Sequence, residues 1–445
     1  MGQFVPSFKE TKFHPDSNLM VRLFLTLLLV TPLQAQWPAF RGPNNDGILP
    51  SLKNGKTRGL PVEWSETKNV VWKASVPGRA WSTPVIMDDQ IWLTNATPDG
   101  KKMYALCLNK ATGKEIHNRL LFENEEPEPL GNKINGYGSC SPAIDADYVY
   151  IHFGSYGTAA LDRKTGKTVW QRRDLPCRHF RGPASSVVLH KNLIILSMDG
   201  IDHQYLVALD RKTGKTVWKT DRTTDFGDVE PDGTLRGKGD FRKAYTTPNF
   251  ITLNGVRQLV SPGAKACYGY DADTGKELWK ITYKGFSNAA APVFVGDNLA
   301  LINTGLGKPH LLGLKLDGKL TGDVTKTHIK WDIFKRISAR CSPVVIGRHA
   351  YFTSESGILS RLQCDTGEIE KYHALKTNFS ASAVLADNHL YFADEKGKTF
   401  VVQPGPDLKI IATNQLDDGC MASPAIDGKA IYLRTRSHLY RIEKK

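Results

Sequence analysis

The chain has 445 residues, a formal net charge of +14 and 23% charged residues. Its 40% hydrophobic and 9% aromatic content is that of a folded globular protein, which excludes a disordered chain or one with repeated membrane spans. Seven cysteines cannot all pair within one chain, and none forms a C-x-x-C or a His/Cys cluster at zinc spacing. Mostly buried thiols, with at most one or two disulfides, are expected.

The first element is the apolar run Leu23 to Val30, too short to span a bilayer. It follows Met20-Val21-Arg22 and precedes Thr31-Pro32-Leu33-Gln34-Ala35, the pattern of a secretory signal peptide cut after Ala35. Residues 1–35 are therefore assigned as signal peptide, with Met20 the start that best fits the pattern. No cysteine follows to carry a lipid anchor, so a periplasmic or extracellular protein is expected. Residues 36–69 form an N-terminal extension, and 70–445 the main domain.

A repeat dominates that domain. Leu-Asp-Arg-Lys-Thr-Gly-Lys-Thr-Val-Trp occurs unchanged at 161–170 and 209–218, and Tyr270 to Trp279 keeps its Asp-to-Trp spacing. Weaker copies run from Asn109 to Ile116 and from Cys364 to Ile369. Repetition on this scale marks a propeller, solenoid or array. Each copy predicts a hairpin, with Asp and Thr-Gly making the turn and strands on either side. The closing Trp suits the wedge between adjacent sheets. The docking set is Asp162, Gly166 and Trp170, then Asp210, Gly214 and Trp218, then Asp271, Gly275 and Trp279.

A small residue followed by Pro opens each unit, at Thr83-Pro84, Ser141-Pro142, Gly182-Pro183, Thr247-Pro248, Ala291-Pro292, Ser342-Pro343 and Ser423-Pro424. Ser382-Ala383 is a copy without Pro. Pro fits the first residue of a strand, where no ladder N–H is needed, and a β-rich run follows each time. The units lie roughly 40 to 65 residues apart, the blade length of propellers. Insertions lie at Glu123 to Pro129, Arg222 to Asp240 and Leu316 to Lys330. The last unit lacks a Thr-Gly hairpin, and Val70-Val71-Trp72-Lys73 matches its missing strand. The expected fold is all-β: an eight-bladed β-propeller of four-stranded antiparallel blades, closed by the N-terminal strand with Trp72 at the seam.

The chain resembles the quinoprotein-like (PQQ-like) propellers, whose blades carry A-x-D-x-x-T-G-x-x-x-W. Ala160 to Trp170 and Ala208 to Trp218 match this motif residue for residue. The leader Trp37-Pro38-Ala39-Phe40-Arg41-Gly42-Pro43-Asn44-Asn45-Asp46-Gly47, with Pro61-Val62-Glu63-Trp64, resembles the start of secreted planctomycete members. One branch of the family holds dehydrogenases that use pyrroloquinoline quinone with calcium. They typically carry adjacent cysteines, which this chain lacks. Another is the propeller lipoprotein of the outer-membrane assembly machine, a protein-binding scaffold. A third holds secreted homologues without assigned chemistry, and the fit is best there. The resemblance is specific for fold and weak for function.

Function should lie where the segments entering the innermost strands converge. Three residues before each unit's Pro position stand Trp81, Ser139, Phe180, Tyr245, Ala289, Arg340, Ser380 and Met421. Their neighbours add Arg79, Asn135, Tyr137, His179, Arg181, Arg242, Lys243, Asn288 and Phe379. The candidate ligand-binding funnel is Arg79, Trp81, Asn135, Tyr137, Phe180, Arg181, Arg242, Lys243, Tyr245, Asn288, Arg340 and Phe379. Aromatic faces beside Arg and Asn suit a planar, anionic or sugar-like ligand, though a propeller can also fill its channel with such side chains. Cys140 and Cys341 share one slot in units two and six, too far across the circle for a disulfide. Catalytic templates are absent: no G-x-S-x-G, no H-E-x-x-H and no phosphate-binding Gly-rich loop. The acidic Asp225, Asp228, Glu230, Asp232 and Asp240 do not have EF-hand spacing and read as a solvated loop.

These features point to an exported binding or scaffolding module with no catalytic residues, no metal and no cofactor. Its expected partner is a protein or anionic polysaccharide of the cell envelope, in keeping with the basic charge. Nucleic acid and an integral membrane segment are not expected, and a monomer is. The alternative is a pyrroloquinoline-quinone and calcium dehydrogenase.

Overall fold

A computed structural model describes residues 1–3, 36–52, 56–132 and 134–445. The chain divides into two units, Met1–Gln34 and Ala35–Lys445. The assigned signal peptide lies almost wholly outside the described residues, and the following concerns the second unit.

Eight sheets form, as the repeat predicts, and five of them consist entirely of strands consecutive in the chain. Blade 1 shows the plan: Val85–Met87, Gln90–Ala96, Lys102–Asn109 and Glu115–Glu123 pair antiparallel in chain order. The innermost strands of blades 2 to 8 are Ala143–Ile144, Val188–His190, Asn249–Leu253, Val293–Val295, Val344–Ile346, Val384–Ala386 and Ala425–Asp427. Second strands are the most buried, Gln90–Ala96 and Leu193–Asp199 along their whole length, because both faces of a blade pack on neighbours. Outermost strands such as Thr168–Arg172 reach solvent.

The turn chemistry follows the repeat. Asp162 Oδ1 accepts from the Thr165 N–H and hydroxyl, both at 2.7 Å, and Gly166 turns at φ +63°. Asp210 and Asp271 do the same for Thr213 and Thr274. The indole then crosses to the next blade. Trp170 Nε1 donates to Arg211 O at 2.9 Å, and its rings lie so close over Gly214 that a Cβ there would stand 2.6 Å away. Trp218 covers Gly275 in the same way. Trp279 differs: it sits on Gly269 of its own blade and donates to Gln258 Oε1 at 2.8 Å. Blade 5 has no Asp-Thr-Gly hairpin to receive it. Insertion residues Leu316 and Val324 pack with Trp279 instead, and Gly322–Asp323 adds a short parallel strand to the exposed edge of blade 4.

Blade 8 closes the circle. Val70–Ser75 pairs antiparallel with His438–Ile442 as its outermost strand. Trp72 Nε1 donates to Lys110 O of blade 1 at 3.2 Å, with its indole over Gly113. Arg434 of blade 8, fully buried, donates to Thr94 O of blade 1 at 2.9 Å.

Candidate functional site

Each innermost strand begins two residues after a small residue: Thr83, Ser141, Ser186, Thr247, Ala291, Ser342, Ser382 and Ser423. Blade 3 corrects the sequence reading. Its opening residue is Ser186, followed by Val187, whereas Gly182-Pro183 lies in the preceding loop. The position three before the strand-opening Pro slot is therefore Ala184, not Phe180.

These residues are stitched from blade to blade. Thr83 N donates to Ser141 Oγ (2.9 Å), Ser141 N to Ser186 Oγ (3.0 Å) and Ser186 N to Thr247 Oγ1 (2.9 Å). Beyond blade 5, Ala291 N donates to Ser342 Oγ (2.9 Å), Ser342 N to Ser382 Oγ (2.9 Å) and Ser382 N to Ser423 Oγ (3.0 Å). The outcome is a collar of hydroxyls around the axis. Six of them, all but Thr83, spend one lone pair on a neighbour's backbone N–H, which explains why small hydroxyl residues recur there.

All of the collar except Ala291 and Ser342 lines the neck of a cavity of about 300 Å³. Its mouth is built from Trp81, Ser139, Ala184, Tyr245, Ala289, Arg340, Ser380 and Met421, one from each blade's entering segment, with Asn132, Ile134 and Asn135 from the loop between blades 1 and 2. Trp81 is held by its Nε1 donating to Ile134 O at 2.8 Å.

The opposite end is closed by the N-terminal extension. Trp37 exchanges backbone hydrogen bonds with Ile86 in blade 1, Pro38 O accepts from Ile144 N in blade 2, and Leu49 N donates to Leu385 O in blade 7. Between these ties, Phe40 lines the cavity from below and Arg41 is fully buried. Arg41 Nη2 donates to Asp46 O at 2.5 Å and to Pro343 O of blade 6 at 2.6 Å. Burial pushes this guanidinium down to about 10, with nearby Asp46 opposing the shift, so it stays charged at neutral pH. The channel is thus a cup with one mouth. The leader's closing role was not foreseen; its dense Trp, Phe and Arg content was the available signal.

Of the twelve funnel residues expected from sequence, Trp81, Asn135, Arg181, Tyr245 and Arg340 line the cup. The others do not. Phe379 and Asn288 are wholly buried, Tyr137 is buried with its hydroxyl on Glu128 O, and Arg242 turns to a bidentate pair with Asp228. Lys243 is buried on Asp240 near the Phe180 and Phe286 rings, and Phe180 packs over Gly131. Arg79 N donates to Ala96 O, and Arg79 lies outside the cup lining. The segments entering the blades are irregular loops, so distance along the chain from a lining residue does not fix which side chains reach the lumen.

The rim charges are spent on each other. Arg181 pairs with Asp240 at 3.0 Å, and Arg340 lies 3.6 Å from both Glu355 and Glu395 while donating to Ser380 Oγ at 2.8 Å. The acidic insertion is likewise paired, Asp228 with Arg242 and Glu230 with Arg236. Among the described residues no group of three or more His, Cys, Asp or Glu is gathered as a metal ion would require. All seven cysteines, including Cys140 and Cys341, are free and buried.

A smaller cavity of about 10 Å³ lies behind the wall, among His152, His179, Ser197 and Asp199, and Tyr245 borders both spaces. Burial pushes His152 to about 3 and His179 to about 4, so both imidazoles are neutral at pH 7.

No helix among the described residues is long and apolar enough to cross a membrane. No curated protein matches the sequence. BamB from Moraxella catarrhalis is similar in structure, with TM-score 0.56 and 14% identity over 84% of this chain and 99% of that one. A europium-containing methanol dehydrogenase reaches 0.60 at 11% identity, covering 91% and 90% of the two chains. The quinohemoprotein alcohol dehydrogenase of Comamonas testosteroni reaches 0.61 at 12%, covering 92% and 81%. At such identities these likenesses carry the fold alone. The family model described as outer membrane protein assembly factor BamB matches residues 54–195 and 202–445, and the chain belongs to that family of PQQ-like β-propellers.

Proposed function

We propose that this chain is an exported binding module of the cell envelope that takes a segment of a protein or polysaccharide partner into its cup. The observation that carries this reading is the single-mouthed cavity, walled by one side chain from every blade and closed below by Phe40 and Arg41. A rigid circle with loops gathered at one mouth suits recognition. Binding is favoured over chemistry because the charged groups at the rim are committed to ion pairs. The family's description names outer-membrane assembly, which supports an envelope partner.

The test is to fill the cup. Ala289→Trp places an indole in the lumen without touching the blade contacts. The purified chain and this variant are compared on glycan arrays and by capture from envelope fractions. Ligands retained by the parent and lost by the variant support the reading. Equal binding by both removes the cup from it.

A calcium-quinone dehydrogenase is the alternative, motivated by the structural likeness to two dehydrogenases. The residues present do not fit that cofactor. Pyrroloquinoline quinone bears three carboxylates, yet Arg181 and Arg340 are already paired, and the described residues gather no calcium set. A flat absorption titration with the quinone and calcium is expected; a bound-cofactor band with dye reduction would revive this alternative.

A further inference from the structure

The chemistry of the collar narrows what the cup takes, on the reading that the cup is the binding face. Five of its hydroxyls, those of Ser141, Ser186, Thr247, Ser382 and Ser423, line the cavity and accept a backbone N–H from the preceding blade. In the last case the donor is Ser382, and no O–H of the five has a protein acceptor among the described residues. A hydroxyl has one donor and two lone pairs. Each therefore keeps one donor and one acceptor for whatever stands in the neck. A carboxylate would use only the donors and an ammonium only the acceptors. A polyol uses both.

Charge argues the same way. The two guanidinium groups at the rim are matched by Asp240, Glu355 and Glu395, so the cup offers no net positive charge to an anion. An unpaired charge taken into such a space bears its full desolvation cost. Flat apolar faces are supplied by Trp81 and Tyr245 at the mouth and Phe40 at the floor, suited to the C–H faces of a sugar ring. The closed floor prevents threading, and about 300 Å³ is at the small end of ligand pockets, roughly 300–1,000 Å³. That space admits a chain terminus and not a folded domain.

We infer that the cup binds the end of an uncharged saccharide chain, its hydroxyls meeting those of Ser141, Ser186, Thr247, Ser382 and Ser423 and its ring faces meeting Trp81 and Tyr245. This departs from the anionic polysaccharide that the basic composition suggested.

Calorimetry on the purified full chain, with maltotriose, cellotriose and chitotriose as uncharged probes and tri-galacturonate as the acidic counterpart, tests it. Two variants form a matched pair. Ser382→Ala and Ser342→Ala each delete one blade-to-blade bond, from Ser342 N and Ala291 N respectively, but Ser382 lines the cavity and Ser342 does not. At least one neutral trisaccharide should bind with unit stoichiometry. Ser382→Ala should weaken it roughly fivefold to tenfold, the loss of one hydrogen bond, and Ser342→Ala should leave it within twofold. Equal losses in both would assign the collar a purely structural role and overturn the inference. Stronger binding of tri-galacturonate overturns the uncharged class while leaving the cup as binding face. If no saccharide binds but an envelope protein is lost on Ala289→Trp, the saccharide inference fails and the proposed function stands. If nothing depends on the cup, both fail.

Discussion

Replacing Arg41 with Met should loosen the floor of the cup before the propeller itself gives way. The guanidinium is wholly buried and makes two short hydrogen bonds to carbonyls, 2.5 Å to Asp46 O and 2.6 Å to Pro343 O, plus a long one of 3.4 Å to Ser342 O. A hydrogen bond to a charged group contributes about 1.5–3 kcal/mol, and a carbonyl left unpaired in the interior costs about 1–3 kcal/mol. Relief of the buried charge offsets part of this. A net loss of about 2–4 kcal/mol follows, large against a total stability on the order of 5–15 kcal/mol. Urea unfolding measures the loss, and limited proteolysis locates it. Cuts should fall within residues 37–48 at urea concentrations where the blades still resist. Arg434→Met is the control, since Arg434 is equally buried but bridges blades 8 and 1; it should destabilise the circle without exposing 37–48. A loss under about 1 kcal/mol for Arg41→Met, or the same cleavage pattern in both variants, would refute the reasoning.

Three further outcomes are expected. Gly214→Ala should cost about 2–4 kcal/mol, because it combines a positive φ with a collision at 2.6 Å against Trp170; Gly296→Ala, at φ +58° but in open space, should cost only about 1 kcal/mol by chemical denaturation. Equal costs would deny the indole its role. Acid stability should fall below pH 6.5, since the unfolded chain takes up protons there while buried His152 and His179 stay neutral to about 3 and about 4. Their stabilisation is complete above 6.5 and shrinks by about 2 kcal/mol each by pH 5. Replacing both with Gln should flatten the pH profile of the unfolding midpoint, and an unchanged slope would count against it. Finally, Ellman's reagent should titrate no thiol in the native chain and all seven in denaturant, because each is buried and burial raises the thiols of Cys140, Cys267 and Cys420. Rapid reaction of one native thiol would identify an opening the fold does not predict.

The fold was legible because a propeller writes itself repeatedly. Two identical decapeptides placed the hairpins, and the unmatched Val70 to Lys73 predicted the closing strand found against His438–Ile442. Degenerate copies were harder. In blade 1, His117 stands where other blades put Trp, with its imidazole against Gly166, and no Trp announced it. Trp331 performs the same task for Gly367 of blade 6, but the insertion before it removed the Asp-Thr-Gly signature. The site was less legible for a physical reason. Packing needs of a blade fix which positions are apolar, whereas the lumen accepts any residue that leaves the neighbours unstrained. Neutralised rim charges were invisible, since Asp240, Glu355 and Glu395 come from loops far along the chain. The error at Gly182-Pro183 shows which signal was more faithful. Pro is tolerated at a strand start but not required, whereas the collar hydroxyl accepts a neighbour's N–H, so Ser186 without a Pro outranks Gly182 with one.

That connectivity also decides what kind of space the cup can be. The extension is tied to blades 1 and 2 at Trp37 and Pro38, to blade 6 through Arg41, and to blade 7 at Leu49, Leu60 and Trp64, before it becomes the outer strand of blade 8. A plug hung from one hinge could swing aside. This one is anchored upstream, in the middle and downstream, and its downstream anchor is the strand that holds the circle closed. Opening the floor therefore means breaking several of these ties together, a local unfolding of the extension that precedes loss of the blades. While these ties hold, solute enters and leaves by the loop face.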